Sequence, residues 1–132
     1  MTRLLATTAL LALLAGGAHA GELHKEMLGG WCATGVSDSD GWFSSTYQRS
    51  TRRACAGDWL QLNARGYVEH LDVSEVPQPI TCRFATITQT DRSTFAVSAR
   101  CRAERSGWYL QQLEFSMTAG DVLTGSVKLQ LH

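Results

Sequence analysis

All four cysteines of the chain, Cys32, Cys55, Cys82 and Cys101, follow an N-terminal segment built like an export signal. Arg3 precedes an apolar run from Leu4 to Ala15, Gly16-Gly17 interrupts it, and Ala18-His19-Ala20 offers a small-x-small cleavage site. The run is about 12 residues long, where a membrane-spanning helix needs about 20. Residues 1–20 are therefore expected to be a signal peptide, and residues 21–132 a single domain that is exported, periplasmic or secreted. No later segment is apolar enough to span a membrane. An even cysteine count in an exported chain reads as a disulfide framework. No Cys-x-x-Cys occurs and no histidine sits at ligand spacing from a cysteine, so neither a metal nor a cofactor is expected.

The pairing follows from a strand register. Residues 80–103 are rich in β-branched and aromatic side chains around a polar centre at Asp91-Arg92. A hairpin turning there sets Cys82 opposite Cys101. The same register sets Phe84 against Ala99, Thr86 against Val97 and Thr88 against Phe95 on a mostly apolar face, with Arg83 against Arg100 on the other. Cys32 is left to pair with Cys55. Each bridge closes a loop of about 20 residues and should contribute about 3 kcal/mol if its effect is on chain entropy.

The rest of the chain alternates with period two between turn signals. After a short helical turn at Glu22–Leu28, strands are expected at Trp31–Thr34, Trp42–Arg49, Asp58–Asn63 and Tyr67–Val73. The hairpin supplies two more, and Trp108–Met117 and Val122–Leu131 complete eight. Ser37–Gly41 and Ser74–Pro79 read as loops. Phe84, Phe95, Leu113, Phe115, Val127 and Leu129 should face inward. Eight short strands without a helical crossover imply an all-β fold: an antiparallel up-and-down meander closed as a small barrel, since closure removes both edges. A two-sheet β-sandwich is the alternative.

Leu28-Gly29-Gly30-Trp31 stands at the start of the first strand, just after the helical turn. It resembles the Gly-x-Trp signature of calycins, the small barrels of lipocalin and avidin type. The resemblance implies a tryptophan plugging one barrel end beside a basic partner, for which Lys128 is the candidate. The architecture is also similar to small exported bacterial inhibitors of peptidases or lysozyme.

Chemistry-bearing patterns are few. His70, Asp72 and Ser74 alternate along one strand and share its outer face opposite Leu71 and Val73, whereas catalytic triads join distant segments in a cleft. Glu69 and Glu75 have no evident partner in the sequence. No nucleophile elbow, phosphate loop or zinc-protease motif occurs, so no enzyme is expected. Removing residues 1–20 deletes Arg3 and no acid, which leaves eleven basic against twelve acidic residues. That near-neutral balance argues against nucleic acid as a partner. Within it, Arg83, Arg100 and Arg102 share one strand face and form a candidate anion site, with Glu104 as a possible internal counter-charge. Trp42, Trp59 and Trp108 are candidates for a ligand mouth, where aromatic area binds sugars or apolar groups. The expected function is a non-enzymatic binding protein for a small ligand, an envelope polyanion or another protein. The alternative is an inhibitor of an envelope or extracellular hydrolase, acting through a loop such as Ser37–Gly41 or Ser74–Pro79.

Overall fold

The structure, a computed structural model, describes residues 19–70, 79–103, 107–118 and 121–128, without the side chains of residues 19 and 20. The strands are β1 (His19–Ala20), β2 (Gly29–Ser39), β3 (Trp42–Arg49), β4 (Trp59–Asn63), β5 (Gly66–His70), β6 (Pro79–Asp91), β7 (Thr94–Arg102), β8 (Tyr109–Thr118) and β9 (Val122–Lys128), with a 3₁₀ turn at Lys25–Met27. β2 to β9 close into an eight-stranded antiparallel barrel. β1 lies outside it and pairs with the lower part of β6, Ala20 opposite Thr88. Residues 1–18, residues 71–78 (the expected end of the Tyr67–Val73 strand and most of the expected Ser74–Pro79 loop), Glu104 and Leu129 lie outside the described residues.

Round the barrel the order is β2-β3-β9-β8-β7-β6-β5-β4 and back to β2. The exchange of places between the first two barrel strands makes the connection at 50–58 cross over β2. It crosses on the outside. Trp31 is fully buried, so by alternation its neighbour Cys32 points outward, where it binds Cys55 at a Cα separation of 5.4 Å. Backbone bonds from Ser50 N to Gly30 O (3.1 Å) and from Ala33 N to Asp58 O (2.8 Å) tie the crossing to the strand beneath. A Cβ on Gly30 would lie 2.6 Å from the Ser50 carbonyl oxygen, so the crossing needs glycine there.

β2 runs five residues past the expected Thr34, to Ser39, with an irregularity between Ala33 and Gly35. The turn into β3 is Asp40-Gly41, both with positive φ (52° and 81°), the pairing that suits a two-residue hairpin. In the β6–β7 hairpin, Cys82 faces Cys101 at 4.0 Å between Cα atoms, and Phe84 faces Ala99. Beyond that the expected register slips. A bulge between Phe84 and Thr86 sets Ile87, not Thr86, against Val97, and Gln89, not Thr88, against Phe95. The slip turns Ile87 into the core and leaves Thr86 exposed. A second slip between Gln89 and Asp91 moves the turn to Arg92-Ser93.

The interior is filled by Trp31, Leu60, Leu62, Phe95, Val97, Leu113, Phe115 and Leu123, with both sulfurs of the Cys82–Cys101 bridge among them. Phe84 and Val127 pack against this cluster. One end is sealed by the 3₁₀ turn, with Met27 buried beside Trp31. Trp31 Nε1 donates to the Met27 carbonyl at 2.8 Å. The Arg49 guanidinium lies 4.1 Å from the Trp31 ring centroid and donates to the carbonyls of Leu28 (2.6 Å) and Glu26. Gly29, at φ 118°, makes room for it: a Cβ there would sit 2.8 Å from Arg49 Nη1. The basic partner of the plug tryptophan is thus Arg49. Lys128 lies opposite Trp42 at the other end of β3. The whole is an eight-stranded barrel compatible with a small calycin-like one.

Candidate functional site

Arg83 and Arg100 are directly opposed across β6 and β7, as the cysteine register requires, and Arg102 follows two residues on, opposite Thr81. All three are exposed. Trp108, just before β8, joins them from the next strand. The guanidinium carbons of Arg100 and Arg102 each lie 5.9 Å from the Trp108 ring centroid, and the ring is 45% exposed. Arg83, Arg102, Thr81, Pro79 and Trp108 line a groove of about 520 Å³. A second groove of about 760 Å³ runs along β6 past Ala85 to Arg65 and Gly21, and Arg83 lines both. Three arginines, 102, 83 and 65, therefore mark one track across the outer wall. Two guanidinium groups sharing one indole give a stacking platform flanked by planar forks, suited to a ring that carries carboxylate, sulfate or phosphate.

The other tryptophans stand elsewhere. Trp59 opens β4 on the outer face, against Gly30 and beneath the 50–58 crossing, with its ring centroid 6.0 Å from that of His70. Its Nε1 is buried without a partner among the described residues. Trp42 begins β3, opposite Lys128 and Ser39. The structure thus brings Trp108 to the arginines and keeps Trp42 and Trp59 apart from it.

His70 faces outward. Arg52 of the crossing donates to its Nδ1 at 3.3 Å, and burial together with that charge holds the imidazole below its ordinary value. Asp72 and Ser74 lie outside the described residues.

Toward the end opposite the Trp31 plug the described residues surround a cavity of about 70 Å³, lined by Phe43, Tyr47, Tyr67, Glu69, Leu113 and Phe115 among others. Glu69 is half-buried there. Tyr47 donates its hydroxyl proton to Glu69 Oε2 at 3.0 Å. Burial raises the Glu69 carboxyl and the nearby Asp58 charge adds to it, while the Tyr47 hydrogen bond opposes both. Burial and the Glu69 charge raise the phenols of Tyr47, Tyr67 and Tyr109, which stay neutral. The sequence reading left Glu69 without a partner. The signal was present in the alternation: the face that takes Tyr67 inward also takes Glu69 inward, two residues on.

Among the described residues no group of three histidine, cysteine or acidic side chains could hold a metal, and no helix is long and apolar enough to cross a membrane. No protein-family model, curated protein or solved structure matches the chain.

Proposed function

We propose that the protein is a small exported, non-enzymatic binding barrel of calycin type. Its partner is an envelope polyanion carried along the outer wall. The supporting observation is the convergence of Arg100 and Arg102 on the exposed face of Trp108, continued through Arg83 to Arg65. Like charges placed opposite one another cost stability, and an anionic partner offsets that cost. The extended track favours a polymer over a single small anion. Two disulfides and the Trp31–Arg49 plug give a rigid wall to present it.

The test is retention on immobilised heparin, which stands in for the unknown polymer. The wild type should be retained at low salt and elute as ionic strength rises through about 0.15 M, where the screening length shortens to about 8 Å. Arg83→Gln with Arg100→Gln should lose retention while keeping the folded tryptophan spectrum. Unchanged retention in that double variant overturns the reading, as does no retention of the wild type at low salt. The hydrolase-inhibitor reading draws on the Asp40-Gly41 hairpin tip, near which Val36 is 65% exposed. Its mark would be a stoichiometric complex with a lysozyme or peptidase that a substitution at the tip abolishes.

A further inference from the structure

The barrel mouth carries a second chemistry that the outer track does not use. Phe43, Ser45 and Tyr47 of β3, Tyr67 and Glu69 of β5, Leu113 and Phe115 of β8 and Val127 of β9 line one cavity. Almost every group in that lining is apolar, aromatic or a neutral hydroxyl. Among the described residues Glu69 is the one charged side chain in it. A carboxylate in such a place loses hydration and recovers part of it through the bond from Tyr47, which engages Oε2. Rings surround it, with Tyr67 edge-on to Phe115 at 6.0 Å between centroids.

We propose that this mouth binds the primary ammonium head of a small organic amine, with Glu69 as its counter-ion and the faces of Tyr47, Tyr67 and Phe43 around it. A cation satisfies both halves of the site at once. It pairs with the carboxylate, and its charge is attracted to the electron-rich ring faces. An anion is repelled by Glu69, and a neutral apolar ligand strips the carboxylate of water and offers it nothing beyond the bond it already has from Tyr47. Size sets the rest. A cavity of roughly 150 Å³ holds a benzene ring. About 70 Å³ therefore seats a head group of a few heavy atoms. The remainder of the ligand lies outward, against Phe43 and Tyr109, each 40% exposed at the mouth. The site is independent of the polyanion track, whose arginines point to the opposite side of the barrel wall.

The probe is n-butylammonium, compared by calorimetric titration with n-butanol and butyrate, which share its chain and differ in charge. The wild type should bind the amine at least tenfold more tightly than the alcohol and show no binding of the acid. Glu69→Gln keeps the side-chain shape and an acceptor for Tyr47 but removes the charge. It should lose tenfold or more in amine affinity and leave the amine no better than the alcohol. Equal binding of amine and alcohol by the wild type would show a merely apolar cavity and overturn the proposal. So would no amine binding at millimolar concentration, or full amine affinity in Glu69→Gln. Should Glu69→Gln fail to fold, the amine-to-alcohol ratio of the wild type decides alone.

Discussion

Arg49 shows how much one side chain can settle. Its guanidinium covers the Trp31 ring and donates to two carbonyls of the turn that seals the barrel, those of Leu28 and Glu26. One of those carbonyls lies in a short 3₁₀ turn and the other on the extended residue that ends it, where a turn of three residues leaves carbonyls without internal partners. Hydrogen bonds from a charged donor contribute about 1.5–3 kcal/mol, and an exposed cation over an indole about 0.5–1 kcal/mol. Arg49→Ala should therefore destabilise the protein by about 2–4 kcal/mol in urea unfolding followed by tryptophan emission. Arg49→Lys should recover less than half of the loss, because an ammonium cannot present a planar fork to two carbonyls while stacking on a ring. Lys128→Ala should cost less than about 1 kcal/mol. Equal losses at positions 49 and 128 would show that the plug does not depend on Arg49.

At the scale of elements, the crossing at 50–58 separates the two disulfides by accessibility. Cys82 and Cys101 are 2% and 1% exposed, inside the barrel between two long strands, whereas Cys32 and Cys55 join the outer face of β2 to a surface connection. Reductant reaches the second pair without opening the sheet. Mild dithiothreitol under native conditions should open Cys32–Cys55 first, and alkylated peptides read by mass spectrometry should carry label at 32 and 55 long before 82 and 101. Simultaneous labelling of all four would place the crossing elsewhere. The elements also show where sequence stops being legible. The cysteine register and β3 (Trp42–Arg49) follow from local alternation, because each depends on neighbours only a hairpin away. The bulge at Ala85 does not, since alternation alone cannot reveal an extra residue; the clue was that strict alternation buried Thr86 and exposed Ile87. The exchanged order of β2 and β3 was hidden too. It depends on how residues 50–58 return, and nothing periodic in that segment encodes the path. The partners of Arg49 and Glu69, Trp31 and Tyr47, are not legible in the sequence because only the closed barrel brings them together.

For the molecule as a whole, two neighbouring groups of β5, Glu69 inside the barrel wall and His70 outside it, carry opposite costs, and pH separates them. Glu69 sits in the open end beside Tyr47, Tyr67, Tyr109 and Asp58, with its carboxyl raised first by burial and then by the Asp58 charge. The folded chain therefore holds that proton more tightly than the unfolded chain. The stability it contributes is fully present below the unfolded value of about 4.3 and is lost as pH rises through the folded value. His70, lowered by burial and then by Arg52, acts in the other direction. Its contribution is present above about 6.5 and is lost as pH falls through its folded value. The wild-type profile mixes the two slopes, and Glu69→Gln isolates the first. Against wild type, the variant should be more stable at neutral pH, and its advantage should shrink steadily on acidification and vanish below about pH 4. Urea midpoints at a series of pH values measure this directly. A difference that stays flat with pH would mean that the mouth carboxyl titrates as it does in water. A charge retained at a cost to the fold is also what a ligand site for a cation requires. Butylammonium should accordingly raise the wild-type unfolding temperature at neutral pH, lose that effect as the carboxyl takes its proton, and leave Glu69→Gln unmoved throughout.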